Sequence, residues 1–197
     1  MSYGSAALAH FKQIPWCDAI LTDPGYCIIP TPSREVKFTG EDSFFSETLQ
    51  TNRTIQALLS VCSKPDMSTS PLPIREVRML VAIGDALNGH VNTAHGGLLG
   101  CLLDEAMGTH LGVNIEFMSR KEVAKKLTST MTAYLNVSYK RPVPTPGVVL
   151  VRTKIVKSEG RKRWVKGTIE DEQGNVLTIG EALFLGIKKI EAPGMKL

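Results

Sequence analysis

The stretch NTAHGGLLGCLLDEAMG, residues 92–108, places one carboxylate and several glycines in an otherwise apolar segment. At about 100° per residue in a helix, Gly97 lies nearly above Asp104. Gly100 and Gly108 lie within roughly 40° of the same line. Because each glycine costs roughly 1 kcal/mol in a helix interior, a solvent-facing stripe would use other residues. The spacing predicts a glycine lane through which a ligand or a second chain approaches Asp104 closely.

Asp104 also has a simpler interpretation. It fits the solvent-facing stripe of an amphipathic helix, together with Glu105 and His110. The glycine lane favours a chemical role instead, because an unpaired buried carboxylate is costly and tends to mark a functional site.

The residues His95, Gly96 and Gly97 stand where this helix should begin. The first amides of a helix lack internal partners and carry the positive end of its dipole. The two glycines leave those N–H groups unobstructed, which suits a developing oxyanion. With the Asp104 carboxylate they indicate acyl transfer. We expect His95 to bond to a nearby backbone group rather than to move a proton directly.

The composition excludes several classes of protein and site. The 197 residues carry a net charge of +4, too weak for a nucleic-acid partner but suited to a small polyanion. No apolar run is long enough to span a membrane. The four cysteines show no metal-ligand spacing, so we expect free thiols, no metal and no cofactor. Serine-hydrolase, zinc-protease and dinucleotide motifs are also absent, so the chemistry must use carboxylate, amides and water.

The pattern of elements predicts an α+β protein. One long helix over 95–112, with a helical extension or insertion over 113–129, follows a strand at 76–84. Four more strands are predicted at 131–140, 148–157, 162–170 and 176–187. Alternation in the first of these places Thr132 on the face opposite Leu135 and Tyr139. We expect a curved antiparallel sheet wrapped around the helix, and a homo-oligomer that covers the open sheet edge.

The region before residue 76 is rich in Pro and Ser. We expect it to be irregular, with short helices around 6–22 and 46–63. The predicted domains are an N-terminal extension over 1–75, a main domain over 76–190 and a C-terminal tail over 191–197. The start of the chain lacks a secretory or mitochondrial signal, which predicts a cytoplasmic protein and leaves peroxisomal and mitochondrial locations open.

The sequence HGGLLGCLLDEAMG resembles the signature of hotdog-fold thioesterases of the phenylacetyl-CoA (PaaI-like) and mammalian Them-type branch. The resemblance continues in TAYLNVSYKRPVPT and KSEGRKRWVKGTIEDEQGNVL and covers about residues 76–188. The stretches IPWCDAILTDPGY and EDSFFSETLQT are similar to N-terminal extensions of fungal members. The resemblance implies a hotdog fold and hydrolysis of an acyl-CoA or acyl-carrier-protein thioester, with CoA as part of the substrate.

The resemblance also implies roles for particular residues. Asp104 would be the nucleophile or general base, and the Gly96 amide would form the oxyanion hole. His95 stands at the mouth of the site, and Thr132 positions water or substrate. The site would lie at a dimer interface, with His95 and Gly96 of one subunit acting with Asp104 and Thr132 of the other. Many relatives carry an Asn six residues before the His, where this chain has Gly89.

Binding residues are assigned more coarsely. The expected pocket residues are Asn92, Gly97, Gly100, Cys101 and Gly108. Lys140, Arg141, Gly160, Arg161 and Lys162 would bind the CoA phosphates, unless these basic residues are ordinary solvated strand ends. Two other functions stay open: a hotdog-fold hydratase or dehydratase, and a catalytically silent scaffold or binding protein.

Overall fold

One antiparallel sheet and one long helix dominate the structure, a computed structural model that describes residues 3–68, 72–120 and 129–187. In these ranges the helices are α1 (Tyr3–Lys12), α2 (Pro15–Leu21) and α3 (Gly96–Arg120). The strands are β1 (Tyr26–Ile29), β2 (Ile55–Ser63), β3 (Glu76–Ile83), β4 (Asn88–His90), β5 (Thr93–Ala94), β6 (Ser129–Tyr139), β7 (Gly147–Glu159), β8 (Lys162–Glu170) and β9 (Val176–Ile187).

The large sheet has the strand order β1-β2-β3-β7-β8-β9-β6, and every neighbouring pair is antiparallel. Strands β4 and β5 form a separate small hairpin just before α3. The predicted α+β class is confirmed, and so are the long helix and the strands β3 and β6 to β9. Helix α3 continues without a break to Arg120, and the rest of the predicted insertion, residues 121–128, lies outside the described residues.

Helix α3 packs closely on one face of the sheet. Leu103 and Met107 are fully buried against β8 and β9. Gly167 and Gly180 make this approach possible, because a Cβ at either position would lie about 3 Å from those side chains. The helix that carries Asp104 is therefore fixed in height above the sheet by core packing. Within the described ranges, no helix has the length and apolarity needed to cross a membrane.

The N-terminal region differs from the prediction in two places. The helix expected around 6–22 is two helices, because Pro15 disfavours helical geometry at the residue before it. The prediction of a helix over 46–63 is wrong. A short π-helical turn, Phe44–Thr48, is followed by β2, which pairs with both β1 and β3. Helices α1 and α2 cover the face of β2, β3 and β7 that points away from α3.

The chain between β1 and β2 packs on the same side of the sheet as α3. Phe45 and Leu49 join the core cluster that surrounds the helix. Arg34 is buried and donates hydrogen bonds to the carbonyl oxygens of Phe45, Leu49 and Ile55. These bonds satisfy backbone groups that the irregular chain would otherwise bury unpaired. The predicted tail over 191–197 lies outside the described residues.

Candidate active site

Asp104 projects from the middle of α3 toward the edge strand β6. The hydroxyl of Thr132 donates a hydrogen bond to Asp104 Oδ1 over 2.7 Å. Asp104 is half-buried and Thr132 is exposed, so the pair lies at the surface of this single chain. A bond to Oδ1 fixes the orientation of the carboxylate and leaves Oδ2 for another partner.

A β-bulge at Ala133 explains how Thr132 reaches the helix. In the pairing of β6 with β9, Thr132 opposes Phe184 and Tyr134 opposes Leu183, so Ala133 is the extra residue. The extra residue reverses the alternation of faces along the strand. Thr132 therefore lies on the α3 side together with Leu135 and Val137, and the prediction that it faces the opposite way is wrong.

The predicted glycine lane is open in the structure. A Cβ at Gly108 would have no heavy atom within 4 Å, and one at Gly100 would only touch Val137 at 4.0 Å. Gly97 is exposed. The face of α3 that carries Asp104 thus has room for the backbone of another chain or for a ligand.

The first two amides of α3, those of Gly96 and Gly97, differ in whether their N–H groups already donate a hydrogen bond within the described residues. The N–H of Gly97 donates to Nδ1 of His95 over 3.0 Å, as expected for a histidine that bonds to nearby backbone. Because Nδ1 accepts this bond, Nε2 is the ring nitrogen that can donate to another group. The N–H of Gly96 has no acceptor among the described residues. The Gly96 N–H is therefore available to donate a hydrogen bond to a negatively charged oxygen.

Tyr139 is a residue of this region that the sequence reasoning missed. Its hydroxyl donates to the carbonyl oxygen of Gly96 over 3.0 Å, and its ring lies against the Gly96 Cα. The contact ties the end of β6 to the first turn of α3. The strand alternation carried a signal for it, since Tyr139 lies on the same face as Val137.

Gly96 and Asp104 are too far apart to act together in one chain. Eight residues of α-helix separate them, which is about 12 Å along the axis. A reacting carbonyl needs the oxyanion donor and the attacking group each within roughly 3 Å. Within the described chain, these two groups therefore lie at separate levels of α3 and cannot contact the same atom.

The two Asn residues near the start of α3, Asn88 and Asn92, accept hydrogen bonds from Thr145 and so stabilise the β4–β5 hairpin. Asn92 is exposed in the β4–β5 turn, has a positive φ of 53° and accepts a backbone hydrogen bond from Thr145. Asn88 accepts a hydrogen bond from the Thr145 hydroxyl. Position 89 has no space for a side chain, because a Cβ there would lie 2.9 Å from the His95 Cα. The geometry of this loop therefore excludes an Asn at this position.

The two basic clusters lie at opposite ends of the sheet. Lys140 and Arg141 line a cavity of about 330 Å³ beside Gly96 and Tyr139. Arg161 and Lys162, with Gly160 in the preceding turn, pair with the far end of β9 near Leu185. Leu177 beside Lys140 and Leu185 are eight residues apart, about 26 Å along the strand. One chain therefore does not bring the clusters together.

Two further ionisable side chains flank Asp104. Cys101 is half-buried, and burial followed by the charge of Asp104 raises the pKa of its thiol. Burial also raises the pKa of Glu105, and the nearby charges of Asp42 and Asp104 raise it further. In the part of the chain that the structure describes, no three His, Cys, Asp or Glu side chains are grouped so as to hold a metal ion.

Comparison with known families identifies the region that contains this site. Residues 91–178, from the β4–β5 turn to the start of β9, match the model of the thioesterase superfamily. This region is therefore similar to the thioesterase superfamily. The matched part contains α3 and β6, and hence both members of the Asp104–Thr132 pair.

The solved structures agree with the fold. A thioesterase from Haemophilus influenzae superposes with a TM-score of 0.52 at 12% identity, over 68% of this chain and 82% of that chain. The predicted hotdog fold is confirmed by this likeness and by the antiparallel sheet around α3.

Two curated relatives match different lengths of the chain. The mouse acyl-coenzyme A thioesterase THEM4 is 33% identical over 100 residues, which is 50% of this chain and 38% of the relative. The chain thus spans about two fifths of the length of that relative. Verlamelin biosynthesis protein B from a Lecanicillium species is 26% identical over 92% of this chain and 89% of its own length. Its match therefore includes most of the region before β3.

Proposed function

We propose that the protein hydrolyses an acyl thioester to a free acid and a thiol, with the carboxylate of Asp104 as the reacting group. The observation that carries the proposal is the Thr132–Asp104 hydrogen bond on the open glycine face of α3. The match of residues 91–178 to the model of the thioesterase superfamily supports the reaction class. The mouse relative, which is named as an acyl-CoA thioesterase, supports CoA as the thiol.

The chain's own groups have distinct tasks in this reaction. Thr132 holds Oδ1, so Oδ2 can take a proton from water or attack the thioester carbon itself. The carbonyl oxygen gains negative charge and accepts a hydrogen bond from the Gly96 N–H, supported by the positive end of the α3 dipole. Collapse of the tetrahedral intermediate breaks the C–S bond and releases the thiol. Lys140 and Arg141, beside Gly96, are placed to bind phosphate groups of the thiol carrier.

The 12 Å between Gly96 and Asp104 supports a site built from two copies of the chain. A second α3 running antiparallel along the glycine lane would bring its Gly96 amide to the level of Asp104. His95 and Gly96 of one subunit would then work with Asp104 and Thr132 of the other. We infer an obligate homodimer. Arg161 and Lys162 would bind the phosphate groups of the substrate only if the partner subunit supplies the rest of the phosphate-binding surface.

A substrate panel tests the reaction. Thiol release should occur with acyl-CoAs of several chain lengths, and crotonyl-CoA should not be hydrated. Hydration without thiol release would establish the hydratase alternative, and binding without either would establish the scaffold. The same panel should include acyl-carrier-protein thioesters, because the relative that matches nearly the whole chain is named for verlamelin biosynthesis.

Asp104→Asn tests the assignment of the carboxylate. The change keeps shape and removes the charge, so turnover should fall by on the order of 10²–10⁴ while acyl-CoA binding persists. The melting temperature (Tm) should stay level or rise, because the repulsion between this charge and Glu105 is removed. Turnover near that of the wild type would refute the role of Asp104.

Mixed dimers test the shared site. Pro is tolerated at the first position of a helix, so Gly96→Pro removes the N–H without breaking α3. Gly96→Ala is the matched control, because it adds similar bulk near Tyr139 but keeps the N–H. A dimer with Gly96→Pro in one chain and Asp104→Ala in the other should regain about one working site. No recovery, or an active monomer in sedimentation, would contradict a site shared between subunits.

A further inference from the structure

Two of the four cysteines face each other across neighbouring strands. Cys27 of β1 and Cys62 of β2 are direct Cα partners in the antiparallel register, and their Sγ atoms lie 3.5 Å apart. Directly opposed residues of an antiparallel pair have Cα separations of about 4.5–5.5 Å, which falls within the range that disulfides require. Small rotations of the two side chains are therefore enough to bring the sulfurs to bonding distance.

The two thiols differ in their access to solvent. Cys27 is exposed on the edge strand of the sheet. Cys62 is buried among Ile29, Ile74 and Val77. Burial, followed by the hydrogen bond with Cys27, raises the pKa of Cys62 to about 12, so it stays protonated at neutral pH. An oxidant in solution therefore reacts first with Cys27. The Cys62 sulfur lies close enough to react with the oxidised Cys27.

We propose that Cys27 and Cys62 form a reversible dithiol–disulfide site that a hydroperoxide oxidises. The sulfur of Cys27 attacks the O–O bond, becomes a sulfenic acid and releases water or an alcohol. The sulfur of Cys62 then bonds to that sulfur, and the displaced hydroxyl leaves as water with the Cys62 proton. Two thiols lose two electrons and two protons, and one hydroperoxide is reduced. Exchange with a small thiol returns both cysteines to the reduced state.

The bond would constrain a particular part of the fold. The chain between Cys27 and Cys62 contains the turns Pro32–Arg34 and Phe44–Thr48, which pack on the α3 side of the sheet. Closing this loop lowers the entropy of the unfolded chain, so Tm should rise by roughly 5–15 °C on oxidation. β1 would also lose the freedom to separate from β2.

Peptide mapping of the oxidised full chain tests the proposal. The protein is treated with hydrogen peroxide, alkylated under denaturing conditions and digested without reductant. We expect a cross-linked peptide pair that joins Cys27 to Cys62 and disappears on treatment with dithiothreitol. Cys27→Ser should abolish the cross-link and the rise in Tm. Cys101→Ser is the matched control and should keep both.

Two outcomes would overturn the proposal. The first is a cross-link that involves Cys17 or Cys101 instead. The second is oxidation of Cys27 to sulfinic acid while Cys62 remains free to alkylate. A Cys27–Cys62 cross-link that forms with no rise in Tm would support the redox site and contradict only the constraint on the loop between β1 and β2. Thioester hydrolysis is not needed for any of these readouts, so the test is independent of the proposed activity.

Discussion

Replacing Thr132 by Val should slow thioester hydrolysis by roughly 10- to 100-fold. Val keeps the β-branched shape and removes only the hydroxyl that donates to Asp104 Oδ1. A hydrogen bond to a charged acceptor contributes about 1.5–3 kcal/mol, and each 1.4 kcal/mol corresponds to a factor of ten in rate. Because Thr132 is exposed, the free energy of unfolding should change by no more than about 0.5 kcal/mol.

The assay is steady-state thiol release on a double-mutant cycle. The kcat and KM are measured for the wild type, Thr132→Val, Asp104→Asn and the double variant, with Thr132→Ser as the control that keeps the hydroxyl. If Thr132 acts by orienting the Asp104 carboxylate, its loss should have little further effect once that carboxylate is gone. The double variant should then be about as slow as Asp104→Asn, and Thr132→Ser should stay close to the wild type.

Three results would count against this reasoning. Additive losses in the double variant would show that Thr132 contacts the substrate rather than working through Asp104. Unchanged kcat in Thr132→Val would show that the 2.7 Å hydrogen bond has no part in turnover. A fall in Tm of more than a few degrees would point to a structural role of the hydroxyl in β6.

Three further predictions follow from other parts of the molecule. Burial lowers the pKa of His110 to about 4, against about 6.5 when unfolded, so the free energy of unfolding should fall by up to ~3 kcal/mol between pH 6.5 and 4. Urea unfolding of His110→Gln across this pH range should show no such loss. Gly167→Ala should lower the free energy of unfolding by about 1 kcal/mol, because its Cβ would displace Met107 Cε, the end of a flexible side chain, from a separation of 2.9 Å. An unchanged urea midpoint would contradict the close packing of α3. A chelator should leave turnover unchanged, and activity lost and then restored by zinc would count against the mechanism.

The sequence predicted the elements whose pattern is unambiguous. Helix α3 is apolar almost all round and ends far from any proline, and β7 to β9 are bounded by glycine turns with positive φ at Gly160 and Gly174. β2 was mistaken for a helix because Leu58 and Leu59 face opposite sides of the sheet and both are buried. A short run that is apolar on both faces has no period that separates strand from helix.

The site was predictable in its residue types and less so in its geometry. The Asp104–Thr132 pairing came from the resemblance, while period-two alternation placed Thr132 on the wrong face. A bulge depends on the register with β9, and nothing within β6 alone signals the extra residue at Ala133. The separation of Lys140 from Arg161 likewise depends on the sheet order, which brings β8 beside β9 but leaves their ends far apart.

The placement of α1 and α2 limits how copies of this chain can stack. The side chains of Leu59, Leu80 and Leu150 would form an apolar back surface of the sheet, but Ala7 and Phe11 of α1 already cover them. The sheets of two copies of this chain therefore cannot pack face to face over β2, β3 and β7. A tetramer of this chain would therefore form through the helices or through the outer face of β8, β9 and β6. A chain shortened to begin at residue 23 would expose the apolar face of β2, β3 and β7 and would tend to aggregate.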